Sequence, residues 1–115
     1  ALLAWLALLA AGAGLATQAP INAALSRALG DPIVAACANF LVGFSVLLAI
    51  SLMRGVGPQP GSLGAAPAWA WIGGAFGATY IAALTWAVPQ VGALTAAAAT
   101  ILAQLAAALL LDRIG

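Results

Sequence analysis

The chain has 115 residues, of which 66% are hydrophobic and 4% are charged, and its formal net charge is +1. A soluble domain carries roughly a quarter of its residues as Asp, Glu, Lys or Arg, so this composition excludes a soluble globular protein. It also excludes a disordered chain, because disordered chains are polar. The sequence therefore predicts a protein whose solvent is lipid.

Four apolar segments are long enough to cross a bilayer core about 30 Å thick as helices. We expect them at residues 1–29, 32–53, 68–88 and 91–111, within a single transmembrane domain that covers residues 1–115. The segments are rich in Ala and Leu, which favour helix, and they are too long for the alternating strands of a membrane barrel. The predicted fold class is all-α, a polytopic membrane protein with four transmembrane helices.

The first segment contains a proline and a pair of polar residues. Pro20 removes one backbone hydrogen bond, so we expect a kink or a tilt of the helix near it. Gln18 and Asn22 are four residues apart and therefore share one face of the helix. Polar residues inside a membrane line a substrate path or join helices, and the sequence leaves both interpretations of this pair open.

The second segment begins at a clear helix-start signal. Gly30 is typical of a helix C-terminus, Asp31 of an N-cap and Pro32 of the first helical position. Within the segment, Asn39 lies one turn before Gly43, where a neighbouring helix can approach closely. Asn39 is a candidate for a helix–helix hydrogen bond or for the substrate path.

The third segment follows the Gly- and Pro-rich residues 55–67, which predict the only substantial loop. Gly73 and Gly77 have the spacing that permits close packing of another helix, and Tyr80 shares their face. Tyr80 and Trp86 are candidates for an aromatic pocket that holds an organic ligand. Trp86 is equally typical of an anchor at the membrane interface.

The fourth segment follows the third almost directly, because the Val-Pro-Gln sequence at 88–90 predicts a very tight connection. The third and fourth helices must therefore form an antiparallel hairpin. Thr100 and Gln104 share one face of the fourth helix. Gln104 precedes Asp112 by about 12 Å of helical rise, which places its amide inside the membrane. Both residues are candidates for the substrate path, and helix packing is the alternative.

The charged residues lie at predicted helix ends and divide almost evenly between the two sides of the membrane. Arg54 and Arg113 lie on the side where the chain begins, and Arg27 lies on the opposite side. The positive-inside rule needs a clear excess to set the orientation. The even division favours insertion in both orientations, so that opposite copies can pair as an antiparallel dimer. A single orientation set by Arg54 and Arg113 is the alternative.

The residue types exclude several kinds of chemistry. The chain has no His and a single Cys, Cys37, so no cluster is available for zinc. Three Arg and no Lys give no basic patch for nucleic acid. We expect no enzymatic activity, no catalytic residue, no metal and no cofactor. The predicted spans contain no Asp, Glu, His or Lys, which argues against carboxylate-based proton exchange and favours a neutral, zwitterionic or anionic substrate over an organic cation.

Short segments spread over nearly the whole chain carry a resemblance to a known family through their order and spacing. They are QAPINAAL (18–25), GDP (30–32), FLVGF (40–44), WAWIGGAFGATY (69–80), Pro89 with Gly92, and the stretch from Gln104 through Asp112-Arg113 to Gly115. In these segments the chain resembles the YdcZ-like family of bacterial inner-membrane proteins, within the drug/metabolite transporter superfamily.

The resemblance implies a small unit related to the small multidrug resistance exporters, paired in antiparallel fashion with a second copy of itself or with a related chain. The substrate would lie between the two copies and reach each side by alternating access. By position, Gln18 and Asn22 match the family's polar pair on helix one, and Gln104 matches its Gln on helix four. Ala103 departs from the Gly that the family often has there. The small multidrug exporters also carry a membrane Glu on helix one, which this chain lacks, so their cation/proton exchange does not transfer.

The sequence thus predicts a protomer of a small secondary transporter that moves a small polar or neutral metabolite across the bacterial inner membrane. The alternative is an accessory or structural subunit that stabilises a partner protein, and a small pore is a third possibility. The positions of Gln18, Asn22 and Gln104 discriminate the first two. A shared cavity favours transport, whereas separate helix contacts favour the accessory subunit.

Overall fold

The computed structural model describes residues 1–114, and Gly115, the last residue of the predicted domain, lies outside that range. Within residues 1–114 the chain is almost entirely helical, with no strand. Its helices are α1 (Leu2–Leu29), α2 (Pro32–Arg54), the short α3 (Ser62–Ala65), α4 (Gly73–Val91) and α5 (Ala93–Ile114). A 3-10 turn, Ala68–Trp71, leads into α4. Four helical segments are long and apolar enough to cross a membrane, which confirms the predicted all-α fold with four spans.

The connection between α1 and α2 is made by two residues, each suited to its place. Gly30 has φ 87° and its N–H donates to the Ser26 carbonyl, which ends α1. Asp31 begins α2, because its carboxylate Oδ2 accepts a hydrogen bond of 3.0 Å from the Val34 N–H. Pro32 follows at the first helical position, where no backbone hydrogen bond is lost. So short a connection makes α1 and α2 antiparallel neighbours.

The connection between α4 and α5 differs from the prediction. Residues 88–90 do not form the turn: they belong to α4, and Gly92 alone separates the two helices. Pro89 fits inside α4 because its fixed φ is helical and it removes only the hydrogen bond to the Thr85 carbonyl. Gly92 makes the turn with φ 90° and ψ 154°, a conformation that is essentially restricted to glycine.

Two other regions show details that the sequence pattern did not predict. The loop predicted at 55–67 contains one helical turn, α3, where the Ser62 hydroxyl donates to the Gln59 carbonyl. The first residues of the predicted third span form the 3-10 turn rather than α-helix. The helix α1 continues through Pro20 without interruption.

The helices α1 and α4 form the middle of the bundle. Each packs against the other and against both α2 and α5. The bundle therefore consists of two helix triplets, α1–α2–α4 and α1–α4–α5, that share the α1–α4 pair. This arrangement creates two separate places where polar side chains from different helices meet.

Close packing is confined to one half of the bundle. We call side X the side where α1 and α4 begin and α5 ends, and side Y the side of the Gly30–Asp31 and Gly92 connections. The buried residues lie in the Y-side half of their helices, except Ile81, which lies at the middle of α4: Ala19, Asn22, Ala23, Ala35, Ala36, Ile81, Leu84, Thr85, Val88 and Ala96. Half of them are alanines, whose small side chains let the helix backbones approach. The helices are thus closely packed towards side Y, and their X-side halves are exposed.

Candidate functional site: a substrate cavity and a separate polar core

A cavity of about 320 Å³ lies in the α1–α4–α5 triplet, and a wider, more open one of about 530 Å³ lies between α2 and α4. The smaller one, here called the cavity, takes its polar lining from Tyr80 on α4 and from Thr100 and Gln104 on α5. The remaining lining residues are small or aliphatic: Gly, Ala, Leu and Ile. A concave, mostly apolar cavity of this size with a few convergent polar groups is typical of a small-molecule site.

Gln104 lies halfway along α5, at the edge of the cavity. It comes eleven residues after Ala93, or about 16 Å by helical rise, which is close to the middle of the helix. Its side chain is exposed and forms no hydrogen bond with any residue of the range 1–114. The structure thus leaves both the donor and the acceptor of this amide open to an external partner.

The other polar groups of the cavity are neutral and partly engaged. The Thr100 hydroxyl donates to the Ala97 carbonyl at 3.0 Å, and its lone pairs remain available as acceptors. Tyr80 is half-buried beside the apolar core and presents its phenol at the cavity wall. Ala16 also lines the cavity, and Pro20 one turn later has no N–H to donate to its carbonyl. The cavity can therefore form hydrogen bonds, but it holds no charge.

Two of the sequence candidates meet in the other triplet. The Asn39 Nδ2 on α2 donates to the Asn22 Oδ1 on α1 at 2.6 Å. Asn22 is 1% exposed and Asn39 is half-buried, so this hydrogen bond lies at the α1–α2 contact, and neither residue lines the cavity. The structure therefore brings Asn22 and Asn39 together as an interhelical contact and separates both from Gln104.

The closely packed half of the bundle also contains polar atoms without a partner. The Asn22 Nδ2 and the Thr85 Oγ1 are buried, and neither atom forms a hydrogen bond within residues 1–114. Thr85 is 1% exposed and lies on α4 between the core residues Leu84 and Val88. Sequence analysis did not select Thr85. The signal that could have found it is Pro89, which follows four residues later and leaves the Thr85 carbonyl without its helical donor.

The remaining polar candidates lie away from both clusters. Gln18 is half-buried, does not line the cavity and forms no side-chain hydrogen bond in the described part of the chain. Trp86 is 61% exposed and does not line the cavity either. The structure therefore does not place Gln18, Asn22 and Gln104 around one shared cavity of the single chain.

The three packing glycines have different surroundings. A Cβ added at Gly77 would lie 3.6 Å from the Phe40 Cζ, so Gly77 is the point where α4 contacts the Phe40 ring of α2. A Cβ at Gly73 or at Gly43 would meet no atom within 4 Å. Within the chain, only Gly77 has the helix contact that its spacing suggests.

A comparison with protein families matches the chain to the family described as "Putative inner membrane exporter, YdcZ", over residues 3–115. Neither the curated proteins nor the solved structures gave a significant match. The family match covers nearly the whole chain and agrees with the four membrane-spanning helices of the structure. It also supports a transporter rather than an enzyme. The chain is therefore an inner-membrane protein of the YdcZ family.

Proposed function

We propose that the chain is one protomer of a secondary transporter that moves a small polar or neutral metabolite by alternating access between two antiparallel subunits. The observation that carries this proposal is the cavity between α1, α4 and α5, with the unpartnered Gln104 at its edge. The family match supports the transport part of the proposal. The relation to the small multidrug resistance exporters stays part of the proposal.

The need for a second subunit is argued from Gln104. A polar amide in the hydrocarbon region is unfavourable unless it finds a hydrogen-bond partner. Inside one chain Gln104 has none in the described residues, and the X-side halves of the helices that surround it are exposed. A second subunit, a substrate or both would supply the missing partner and complete the walls of the cavity.

The substrate chemistry is argued from the lining. Tyr80, Thr100 and Gln104 offer hydroxyl and amide groups, and the cavity lining contains no ionisable group other than the Tyr80 phenol. Such groups hold a neutral molecule in place through hydrogen bonds while the aliphatic wall excludes water. The cavity lining offers no charged side chain to neutralise an ion, which supports a neutral substrate most directly.

The test is ligand-dependent thermal stabilisation of the purified protein across a panel of neutral, zwitterionic and anionic metabolites. A ligand that binds the folded protein raises its stability by mass action, by about 2.7 kcal/mol at one hundred times its Kd. We expect one class of metabolite to raise the melting temperature. We expect Gln104→Leu to abolish that shift, and Gln90→Leu to retain it, because Gln90 lies outside the cavity and binds the Trp86 carbonyl.

The hit from this panel is then tested for transport in proteoliposomes. Movement of the metabolite by the protein, and its loss in Gln104→Leu, would support the proposal. The absence of stabilisation by any metabolite, both alone and together with a related chain, would contradict it. A shift that survives Gln104→Leu would contradict the assignment of the cavity.

A second candidate function is an accessory subunit that stabilises a partner protein. The observation in its favour is the Asn22–Asn39 hydrogen bond, since it joins helices rather than lining a path. Deletion of the protein would then lower the amount of a membrane partner that co-purifies with it. A transporter would leave the amounts of other membrane proteins unchanged.

A further inference from the structure

We propose that Asn22, Asn39 and Thr85 form a polar gate, which closes side Y in this conformation and opens it during the transport cycle. The proposal rests on the transporter function proposed above, and it assigns to these residues a gating role rather than substrate binding. The term "polar gate" is used below for these three residues.

The first argument is the position of the gate. Nine of the ten buried residues lie in the Y-side half of their helices and the tenth, Ile81, lies at the middle of α4, so this is the half that close packing keeps closed. Alternating access requires that this closed half separates in the other state. Asn22 and Thr85 are each 1% exposed within it, and α1, α2 and α4, which carry the gate, all pack against one another.

The second argument is that the closed gate leaves hydrogen-bonding groups unused. Several other hydroxyls of the long helices bond locally: those of Thr17, Ser45 and Thr79 donate to the carbonyl one turn earlier, at 2.8 to 2.9 Å. The Thr85 hydroxyl does not, although it is buried, and neither does the Asn22 Nδ2 find an acceptor. Unsatisfied buried polar groups are unfavourable. When the gate opens, water would supply the missing hydrogen bonds. The closed state is therefore less stable relative to the open state than it would be with apolar side chains at these positions.

The third argument is the weak backbone beside Thr85. Pro89 cannot donate to the Thr85 carbonyl, and Gly92 is the only residue between α4 and α5. Prolines and glycines at helix ends are positions where a helix bends. The end of α4 can therefore move relative to α1 while breaking fewer hydrogen bonds than an uninterrupted helix would. Such a movement separates the helices at Thr85 and exposes the gate to water.

The test measures opening of side Y without a substrate. Ala23, which is 4% exposed beside Asn22, is changed to Cys in a Cys37→Ala background. The protein is placed in lipid nanodiscs, where both sides contact a water-soluble maleimide, and the labelling rate is measured. Thr85→Val replaces the unpartnered hydroxyl by a methyl group of similar shape, and we expect it to slow labelling roughly tenfold. The matched control is Thr79→Val on the same helix, which we expect to change the rate less than about twofold because its exposed hydroxyl already has a local acceptor.

The melting temperature of each variant shows whether the gate residue is truly unpartnered. We expect Thr85→Val to keep or raise it. Unchanged or faster labelling in Thr85→Val would overturn the proposal, and so would a lowered melting temperature, since that would mean that the hydroxyl has a stabilising partner. Labelling is independent of any metabolite. A failure of the transport proposal would therefore show in the metabolite panel alone, and a failure of the gate would show here.

Discussion

At the scale of single residues, the polar side chains of this apolar chain divide into two groups by what they contact. Asn22 and Asn39 bind each other at the α1–α2 contact. Tyr80, Thr100 and Gln104 line a cavity and leave groups available for another molecule. The helix spacing that paired Gln18 with Asn22 does not distinguish these two situations, because residues four apart share a face whatever that face contacts.

The Asn22–Asn39 pair is expected to show strong coupling. Asn39→Leu leaves the whole Asn22 amide buried without a partner, and we expect it to lower the free energy of unfolding by about 1 to 3 kcal/mol. The double variant Asn22→Leu with Asn39→Leu should recover most of that loss, because no polar group then remains unpaired. Reversible unfolding of the four proteins in a bilayer mimic measures this cycle. A double variant as unstable as the sum of the two singles would contradict the pairing.

At the scale of secondary structure, the ends of the helices follow local signals, whereas the contacts between them follow small residues. Asp31 and Gly30 set the turn between α1 and α2 through their own hydrogen bonds and φ value. The alanines of the core and Gly77 determine where helices approach one another. Two substitutions test these determinants separately.

The α4–α5 connection is expected to depend on the lack of a side chain at Gly92. Its φ of 90° with ψ 154° strains any other residue, so Gly92→Ala should cost about 1 to 3 kcal/mol in the free energy of unfolding. The matched control is Gly74→Ala, where a Cβ meets no atom within 4 Å. Ala is the better helix former, so this control should be neutral or slightly stabilising. Equal effects of the two changes on unfolding would argue against a one-residue connection.

The α2–α4 contact is expected to tolerate one methyl group and no more. Gly77→Ala places its Cβ 3.6 Å from the Phe40 ring, which is ordinary van der Waals contact, so stability should hardly change. Gly77→Leu cannot fit without moving α2, and overpacking of this kind typically costs about 1 to 3 kcal/mol. Melting temperatures compare the two variants. If Leu were tolerated as well as Ala, α2 and α4 would not be in contact at this point.

At the scale of the whole molecule, the uneven packing and the even distribution of charge point in the same direction. One half of the bundle is closed, and the other half presents exposed helices and the open amide of Gln104. Side X carries Arg54 and Arg113, and side Y carries Arg27. A difference of one Arg does not set a strong orientation in the membrane. Both features suit a protein that pairs with an oppositely oriented copy.

The pairing is tested by a single Cys at Gly61, in the exposed α2–α4 connection, with Cys37→Ala as background. We expect an impermeant reagent to label this Cys from each side of intact membranes in turn, because the proposed antiparallel dimer requires copies in both orientations. Cross-linked dimers should form in the same membranes. Labelling from one side only would contradict the antiparallel homodimer and leave a parallel assembly or a heterodimer with a related chain.

Local features of the sequence were sufficient to predict the class of the protein and its elements. The apolar composition placed the chain in lipid, and the long apolar segments predicted four helices, since a helix satisfies its own backbone in a bilayer. The Gly30-Asp31-Pro32 signal predicted a helix boundary, because caps act within one turn. The family could also be recognised from short segments in order, which the match over residues 3–115 confirms.

The tertiary structure alone decided which polar residues meet. Asn39 binds Asn22, Gln104 lies with Tyr80 and Thr100 at the cavity, and Thr85 is buried without a partner. The physical reason is that lipid and protein core are equally apolar. A helix that is apolar on all sides carries no periodic pattern to show how it is rotated about its axis. That rotation is set by the packing of small residues from distant parts of the chain, and it determines which polar groups face the core and which face the cavity.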